Sequence, residues 1–125
     1  MPARYFTVEE ANALLPKIKP VMSELLNRRA RVVESRHEIA GLLKDNRSDV
    51  GSAAASEIVQ DFIVIERLAK RIRSYGCVIK DLNAGLLDFL SERDGREVYL
   101  CWRFGEPHIE YFHELHTGFN GREHV

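Results

Sequence analysis

Apolar residues recur every three or four positions through the first half of the chain, the spacing of an amphipathic helix. One stripe runs from Ile18 to Leu43 and is interrupted by two arginines, and a second runs from Ile58 to Ile72. Residues 44–52 between them are polar and rich in turn formers. The stripes comprise Ile18, Met22, Leu25, Val32, Ile39 and Leu43, then Ile58, Phe62, Ile65, Ala69 and Ile72. The pattern predicts two long antiparallel helices joined at the polar segment.

A capping box precedes the first stripe. The Thr7 hydroxyl can accept a hydrogen bond from the Glu10 amide, while the Glu10 carboxylate accepts one from the Thr7 amide. Pro16 disfavours helical geometry at Leu15 and suits the first turn of a new helix. We therefore expect a short helix from Thr7, a break or kink followed by a new helix from about Pro16, and a second kink at Pro20.

Gly76 is placed to end the second helix, and the residues beyond it follow a pattern typical of β-strands. The Asp94–Gly95 pair favours a type I′ hairpin turn with Arg93 opposite Arg96. This register pairs Phe89 with Leu100, Leu87 with Trp102, Leu90 with Tyr99 and Asp88 with Cys101. One face then carries Leu87, Phe89, Val98, Leu100 and Trp102, which we assign to the core, and the other carries Leu86, Asp88, Leu90, Tyr99, Cys101 and Arg103. A third strand is expected over 108–112.

The predicted fold class is α+β: a short capped helix, a long antiparallel helical hairpin and a small three-stranded antiparallel sheet. A chain of 125 residues with 45% hydrophobic content suits one domain over 1–125. Its helical part spans 7–75, and its β-meander with the C-terminal tail spans 76–125.

Charge and cysteine content narrow the class of protein. The 18 basic and 19 acidic residues leave a net charge of −1, which argues against a general polyanion binder. Cys77 and Cys101 match neither a disulfide framework nor a paired metal motif and fit reduced thiols. With no signal-peptide pattern and no run able to span a bilayer, we expect a soluble cytoplasmic protein without a membrane partner.

Several segments carry a family resemblance. They are 5–16, 80–81, 85–86, 88–89, 94–102, 105–106, 113–114, 118–119 and 121–122. Together they resemble domain-of-unknown-function family 2203, an uncharacterised bacterial family. Two positions depart from its pattern, since the family tends to have tryptophan at Phe112 and proline at Leu90, and His116 lies outside the pattern. The resemblance implies no activity, cofactor or substrate.

His113, Glu114 and His116 form a candidate metal site. Histidines three residues apart share a face in a helical segment, and imidazole with carboxylate suits zinc or another divalent ion. In the alternative, which we favour, His113 bonds a backbone carbonyl at a strand end and His116 is solvated.

A second candidate site would take a small polar or anionic ligand. Its members are Asp88, Cys101, Arg103, Glu106, His113 and Arg122. The predicted register places an acid, a thiol and a guanidinium on one sheet face. The same residues can instead form an ion-pair network that pins the tail, with Arg122 on Asp88 or Glu106, and we favour this network.

The helical arms suggest a partner. The two predicted helices of the hairpin contain about 24 to 29 residues and are therefore about 36 to 43 Å long. A three-stranded sheet is too small to cover helices of this length. We therefore expect a homodimer through the hairpin. The leading function is a non-catalytic binding or adaptor protein with its interaction or ligand site on the C-terminal sheet and tail.

Two alternative functions remain. One is a metal- or thiol-dependent enzyme centred on His113, Glu114, Cys101 and Asp88. The other is association with nucleic acid through arginines of the hairpin, where 28–31 should lie level with 67–71. The arginines lack interleaved aromatic residues, which favours a solvated helix face over a nucleic-acid interface.

Overall fold

The computed structural model of the protein describes residues 4–44 and 51–125, so most of the predicted polar turn lies outside the described residues. Two helices precede one antiparallel sheet with the strand order β1-β2-β3-β4-β5. The elements are α1 (Val8–Lys44), α2 (Gly51–Ser74), β1 (Val78–Asp81), β2 (Leu86–Arg93), β3 (Arg96–Arg103), β4 (Tyr111–Glu114) and β5 (Glu123–His124), with a 3-10 turn over Phe119–Gly121. The predicted α+β class is confirmed.

The first helix is continuous, and the predicted short helix with a break at Pro16 is wrong. The capping box does form, because the Glu10 amide donates to the Thr7 hydroxyl over 3.1 Å and the Thr7 amide donates to the Glu10 carboxylate over 3.0 Å. Pro16 and Pro20 lie inside α1, four residues apart on one exposed face. A buried stripe runs past both prolines along Ala11, Leu15, Ile18, Met22 and Leu25. Packing of this stripe stabilises the helix across them.

The two helices meet along a seam that differs from the predicted one at two positions, where Asp61 and Leu68 stand in place of Phe62 and Ala69. Ile58, Asp61, Ile65, Leu68 and Ile72 follow one another at steps of three and four. Ile65, Leu68 and Ile72 are buried, and so is Asp61, whereas Phe62 is 52% exposed. The assignment of Phe62 to the seam was therefore wrong. Asp61 takes this place because Arg28 of α1 pairs with its carboxylate.

The predicted β2–β3 register is confirmed throughout. Arg93 pairs with Arg96 and Asp88 with Cys101. Asp94 and Gly95 adopt positive φ angles of 53° and 77°, as a type I′ turn requires. The predicted core face of Leu87, Phe89, Val98, Leu100 and Trp102 is at most 2% exposed.

The sheet has five strands, so the prediction of three is wrong. The third predicted strand, 108–112, is displaced: β4 begins at Tyr111 and continues to Glu114. Ile109 is instead fixed against the helices, because its amide donates to the Asn12 side chain over 2.6 Å. The two additional strands, β1 and β5, are the sheet edges and contain four and two residues. Within the described ranges, neither helix carries an apolar stretch long enough to cross a membrane.

Candidate functional site

Three potential metal ligands meet on the sheet face that points away from the helices. Asp88 of β2 pairs with Cys101 of β3, and His113 of β4 pairs with Tyr99, two residues from Cys101. Strand alternation therefore puts all three side chains on one face. One donor atom from each residue lies within 4.8 Å of the others. Each of the three residues is at most 2% exposed.

The hydrogen bonds of His113 define where its protons lie. Its Nδ1 is 2.8 Å from the backbone carbonyl oxygen of Glu114, which can only accept, so Nδ1 carries a proton and donates it. Its Nε2 is 3.0 Å from Oδ1 of Asp88. An ionised carboxylate is also an acceptor, so a proton must lie between Nε2 and Oδ1, on one atom or the other. The pair is either an imidazolium with a carboxylate or a neutral imidazole with a carboxylic acid.

Cys101 is a protonated thiol in this environment. Burial, followed by the negative charge of Asp88, raises the pKa of Cys101 to about 12. A reactive cysteine requires a lowered pKa and access to solvent. The arrangement therefore opposes a role for the metal-free Cys101 as a nucleophile.

Arg122 joins the tail to the loop between β3 and β4. Its Nη2 lies 2.7 Å from both carboxylate oxygens of Glu106 and 3.4 Å from the Cys101 carbonyl oxygen. The guanidinium carbon lies 4.0 Å from the ring centre of Tyr111 and 4.6 Å from that of Phe119. Of the two acids considered for Arg122, Glu106 is the one it contacts. These contacts are those of a network that pins the tail.

Glu106 also organises the end of β3. One oxygen of its carboxylate accepts from the Arg103 amide over 2.7 Å. Its backbone carbonyl accepts from the Trp102 indole over 3.0 Å. The Arg103 side chain is exposed, with its guanidinium 5.9 Å from the Phe119 ring, and it lines a cleft of ≈ 230 Å³ with Asp81, Ala84, Leu86 and Phe119. Arg103 is thus separate from the buried cluster.

The predicted group of His113, Glu114 and His116 does not converge. His113 and Glu114 are consecutive strand residues, so their side chains leave opposite faces of the sheet. The Glu114 carboxylate is 2.7 Å from Nη2 of Arg96, and the hydrogen bond from Arg96 lowers the pKa of Glu114. His116 is exposed in the turn after β4. The chain is extended and then turns there, so the helical spacing that would align the two histidines is absent.

Tyr111 is the site residue that sequence reasoning missed, whereas Gly118 and Gly121 had indicated a turn that returns Phe119 to the sheet without assigning it to the site. Both rings lie under the Arg122 guanidinium. Tyr111 is two residues before His113, so a strand drawn to Glu114 would have placed it on the same face. Phe119 lies in a 3-10 turn without periodicity, so the two glycines indicated its return to the sheet but not its contact with Arg122.

Comparison with known proteins identifies the family to which the chain belongs. No curated protein and no solved structure matches the chain. One family model matches residues 4–125 and covers nearly the whole chain. The protein therefore belongs to the family described as Uncharacterized conserved protein (DUF2203), as its motifs predict.

Proposed function

We propose that this protein is a non-catalytic binding protein that self-associates through the half of its helical hairpin farthest from the sheet. The observation that carries the proposal is a group of apolar side chains there that are more than half exposed. They are Val33 at 52%, Val59 at 55%, Phe62 at 52% and Ile63 at 53%, and we call them the distal apolar surface. Exposed apolar patches of this kind are typical of interaction sites.

The distal apolar surface continues the hydrophobic core beyond the edge of the sheet. Phe62, Ile65, Ala69 and Ile72 lie on one helical stripe at steps of three, four and three. The last three are buried, and Phe62 is the first member past the sheet. On α1, Arg29 donates to the Asn83 side chain in the β1–β2 turn, and Val33 lies one turn farther out. The sheet therefore stops at the level where the exposed apolar residues begin.

Helix length explains why this surface is left uncovered. At 1.5 Å per residue, the 37 residues of α1 extend about 56 Å. The eight residues of β3, one of the two longest strands, extend about 27 Å. A sheet of this size covers only the half of the hairpin that contains the start of α1 and the end of α2.

A second copy of the chain is the occupant that suits this surface best. The net charge is −1, so electrostatic repulsion between copies is weak. Exposed residues of both signs flank the surface, including Glu34, Arg36, Glu66 and Arg67. Two hairpins related by a two-fold axis would form a four-helix arrangement. The distal apolar surface of each copy would then be buried against that of the other.

The contacts of the arginines disfavour nucleic acid as the occupant. Arg28 and Arg31 approach the two carboxylate oxygens of Asp61 at 3.1 and 3.6 Å, and Arg29 bonds Asn83. These three arginines are thus engaged within the chain. Binding of nucleic acid would require these arginines to leave their present partners, whereas self-association would not.

The test is sedimentation equilibrium of the full chain over a wide concentration range, comparing wild type with Phe62→Glu. Since Phe62 is exposed, the change should leave the fold intact and place two carboxylates in the proposed interface. Leu115→Glu is the matched control, because Leu115 is 48% exposed at the opposite end of the molecule. We expect dimers for wild type and the control and monomers for Phe62→Glu. A monomeric wild type, or a dimer that Phe62→Glu leaves intact, would refute the proposal.

A further inference from the structure

We propose that Asp88, Cys101 and His113 bind one divalent metal ion of the zinc class and that this ion stabilises the sheet. The ligands would be a carboxylate oxygen of Asp88, the Cys101 sulfur and Nε2 of His113. They come from three adjacent strands, so the ion would cross-link β2, β3 and β4. The site shares His113 with the predicted metal group of His113, Glu114 and His116, and all three ligands belong to the alternative metal- or thiol-dependent centre. It does not depend on self-association.

The donor set and its spacing fit this class of ion. Carboxylate, thiolate and imidazole are the ligand types that zinc takes in proteins, at about 2.0 to 2.3 Å from the metal. Tetrahedral bonds of that length place ligand atoms about 3.3 to 3.7 Å apart. The donor atoms here lie within 4.8 Å of one another, and Nε2 is 3.0 Å from Oδ1. Small side-chain rotations would therefore complete the geometry without moving the strands.

The orientation of His113 is the one that a metal ligand requires. Histidine ligands usually donate their other ring N–H to a carboxylate or a backbone carbonyl, which fixes the tautomer and aims the free nitrogen at the metal. In this protein Nδ1 donates to the Glu114 carbonyl over 2.8 Å and leaves Nε2 directed at the cluster. The hydrogen bond that orients a histidine ligand is thus already present at Nδ1.

A carboxylate oxygen of Asp88 supplies independent evidence for a bound cation. The Oδ2 atom of Asp88 is buried and has no hydrogen-bond partner among the described residues. A proton shared with His113 accounts for Oδ1, and the Cys101 thiol beside this carboxylate is only a weak donor. Buried polar atoms are nearly always satisfied, and a site for an ion is one recognised reason for an exception. A cation between Asp88, Cys101 and His113 would satisfy the carboxylate.

Charge balance also favours a divalent ion. The carboxylate and a thiolate together neutralise two positive charges, while His113 binds as a neutral imidazole. The Arg122 guanidinium, which approaches the Cys101 carbonyl oxygen, is already paired with Glu106 at 2.7 Å and adds no uncompensated charge. The thiol proton would be released on binding, as is general for cysteine ligands.

Burial indicates a structural role for the ion. The three ligands are at most 2% exposed, whereas a catalytic metal keeps a position open to substrate. A water molecule would complete four-coordination, since the described residues bring together three ligands. Catalytic sites use the same number of ligands, and here it is burial that closes the fourth position to a substrate. Metal binding should therefore change stability, with no substrate involved.

The experiment uses the full chain, purified without a histidine tag and freed of metal by chelation, and titrated with Co²⁺ and then Zn²⁺. We expect one equivalent of Co²⁺ to produce the visible bands of tetrahedral cobalt and a near-ultraviolet thiolate-to-cobalt band, both lost when Zn²⁺ displaces it. Zn²⁺ should also raise the melting temperature. Asp88→Asn and His113→Gln should weaken binding at least about tenfold, and the near-isosteric Cys101→Ser should lose the thiolate band.

Two control variants make the test specific. Cys77→Ser removes the other cysteine and should keep the thiolate band, and His116→Ala removes the exposed histidine and should bind as wild type does. Absence of the bands in the wild-type protein would overturn the proposal, whether or not the ligand variants fold. A thiolate band that survives Cys101→Ser or disappears in Cys77→Ser would also overturn it.

Discussion

The Arg28 guanidinium donates to the Asp61 carboxylate over 3.1 Å, across the seam between the two helices. The Asp61 side chain is only 2% exposed, whereas that of Arg28 is 30% exposed. Arg31 approaches the other carboxylate oxygen at 3.6 Å. An ion pair therefore occupies one step of a seam whose neighbouring steps are apolar.

The two partners of this pair should differ in their effect on stability. Arg28→Ala leaves Asp61 buried with Arg31 as its remaining cation, and we expect the free energy of unfolding to fall by about 3 kcal/mol. Asp61→Leu leaves only arginines that can reach water, so its cost should be smaller. The double variant Arg28→Met with Asp61→Leu should match or exceed wild type, since apolar residues often replace buried ion pairs without loss. Urea unfolding measures all three, and a double variant as unstable as Arg28→Ala would contradict the argument.

The capping box predicts a specific pH dependence. The hydrogen bond from the Thr7 amide holds the pKa of Glu10 below its usual range. Because the folded pKa is lowered, this contribution to stability is present above the unfolded pKa of Glu10 and is lost as pH falls through the folded value. The Thr7 side chain is the second cause of the lowered pKa, and Thr7→Ala removes it while keeping the amide. We therefore expect NMR titration to show the lowered pKa of Glu10 in wild type and a partial return toward the value of a free glutamate in Thr7→Ala.

A second measurement separates this effect from simple loss of charge. Glu10→Gln should flatten the acid limb of the stability curve, whereas Glu9→Gln removes the same charge from the first turn and leaves the capping box intact. Equal changes in the two variants would show that the general charge of the helix terminus is responsible.

The prolines of α1 offer another test. Pro16 lacks the amide proton for one helical hydrogen bond and lies on an exposed face. Pro16→Ala should restore that bond and raise the free energy of unfolding by about 1 to 3 kcal/mol. The reverse change, Ala13→Pro, at an exposed site in the same helix, should lower it by about 3 kcal/mol. Thermal unfolding followed by circular dichroism would report both, and a destabilised Pro16→Ala would show that the proline fits a bend required by packing.

The β2–β3 hairpin was predictable from sequence because its determinants are local. Asp94 and Gly95 can both adopt positive φ, and two-residue turns fix the strand register. Strand alternation then assigns Trp102 to the core and Cys101 to the other face. The same local logic failed at Pro16, where long-range packing of the α1 stripe outweighs the cost of a proline.

The buried cluster was only partly predictable. The hairpin register placed Asp88 opposite Cys101, but the position of His113 depends on where β4 begins after an irregular loop. A shift of one residue there would have moved His113 to the opposite face. The return of the tail through Arg122 onto Glu106 was predicted, but the two-residue strand β5 has no periodic signal, so its pairing with β4 could not be read from sequence.

The contacts of Arg122 predict that the tail is a stabilising element of the sheet. Both partners of its ion pair with Glu106 are largely buried, at 12% and 21% exposed. Arg122→Ala should lower the free energy of unfolding by about 1 to 3 kcal/mol, because it leaves the Glu106 carboxylate without its cation and uncovers Tyr111. Arg122→Lys keeps the charge but loses the planar group that stacks on Tyr111 and Phe119, and we expect an intermediate loss.

Unfolding in urea, followed by Trp102 fluorescence, measures these losses directly, since the Trp102 indole donates to the Glu106 carbonyl. The double variant Arg122→Ala with Glu106→Gln tests whether the cost arises from the unpaired carboxylate. If it does, the double variant should be more stable than Arg122→Ala alone, because an amide is less costly to leave buried than a charge. Wild-type stability in Arg122→Ala would instead show that the tail lies on the sheet without contributing to its stability.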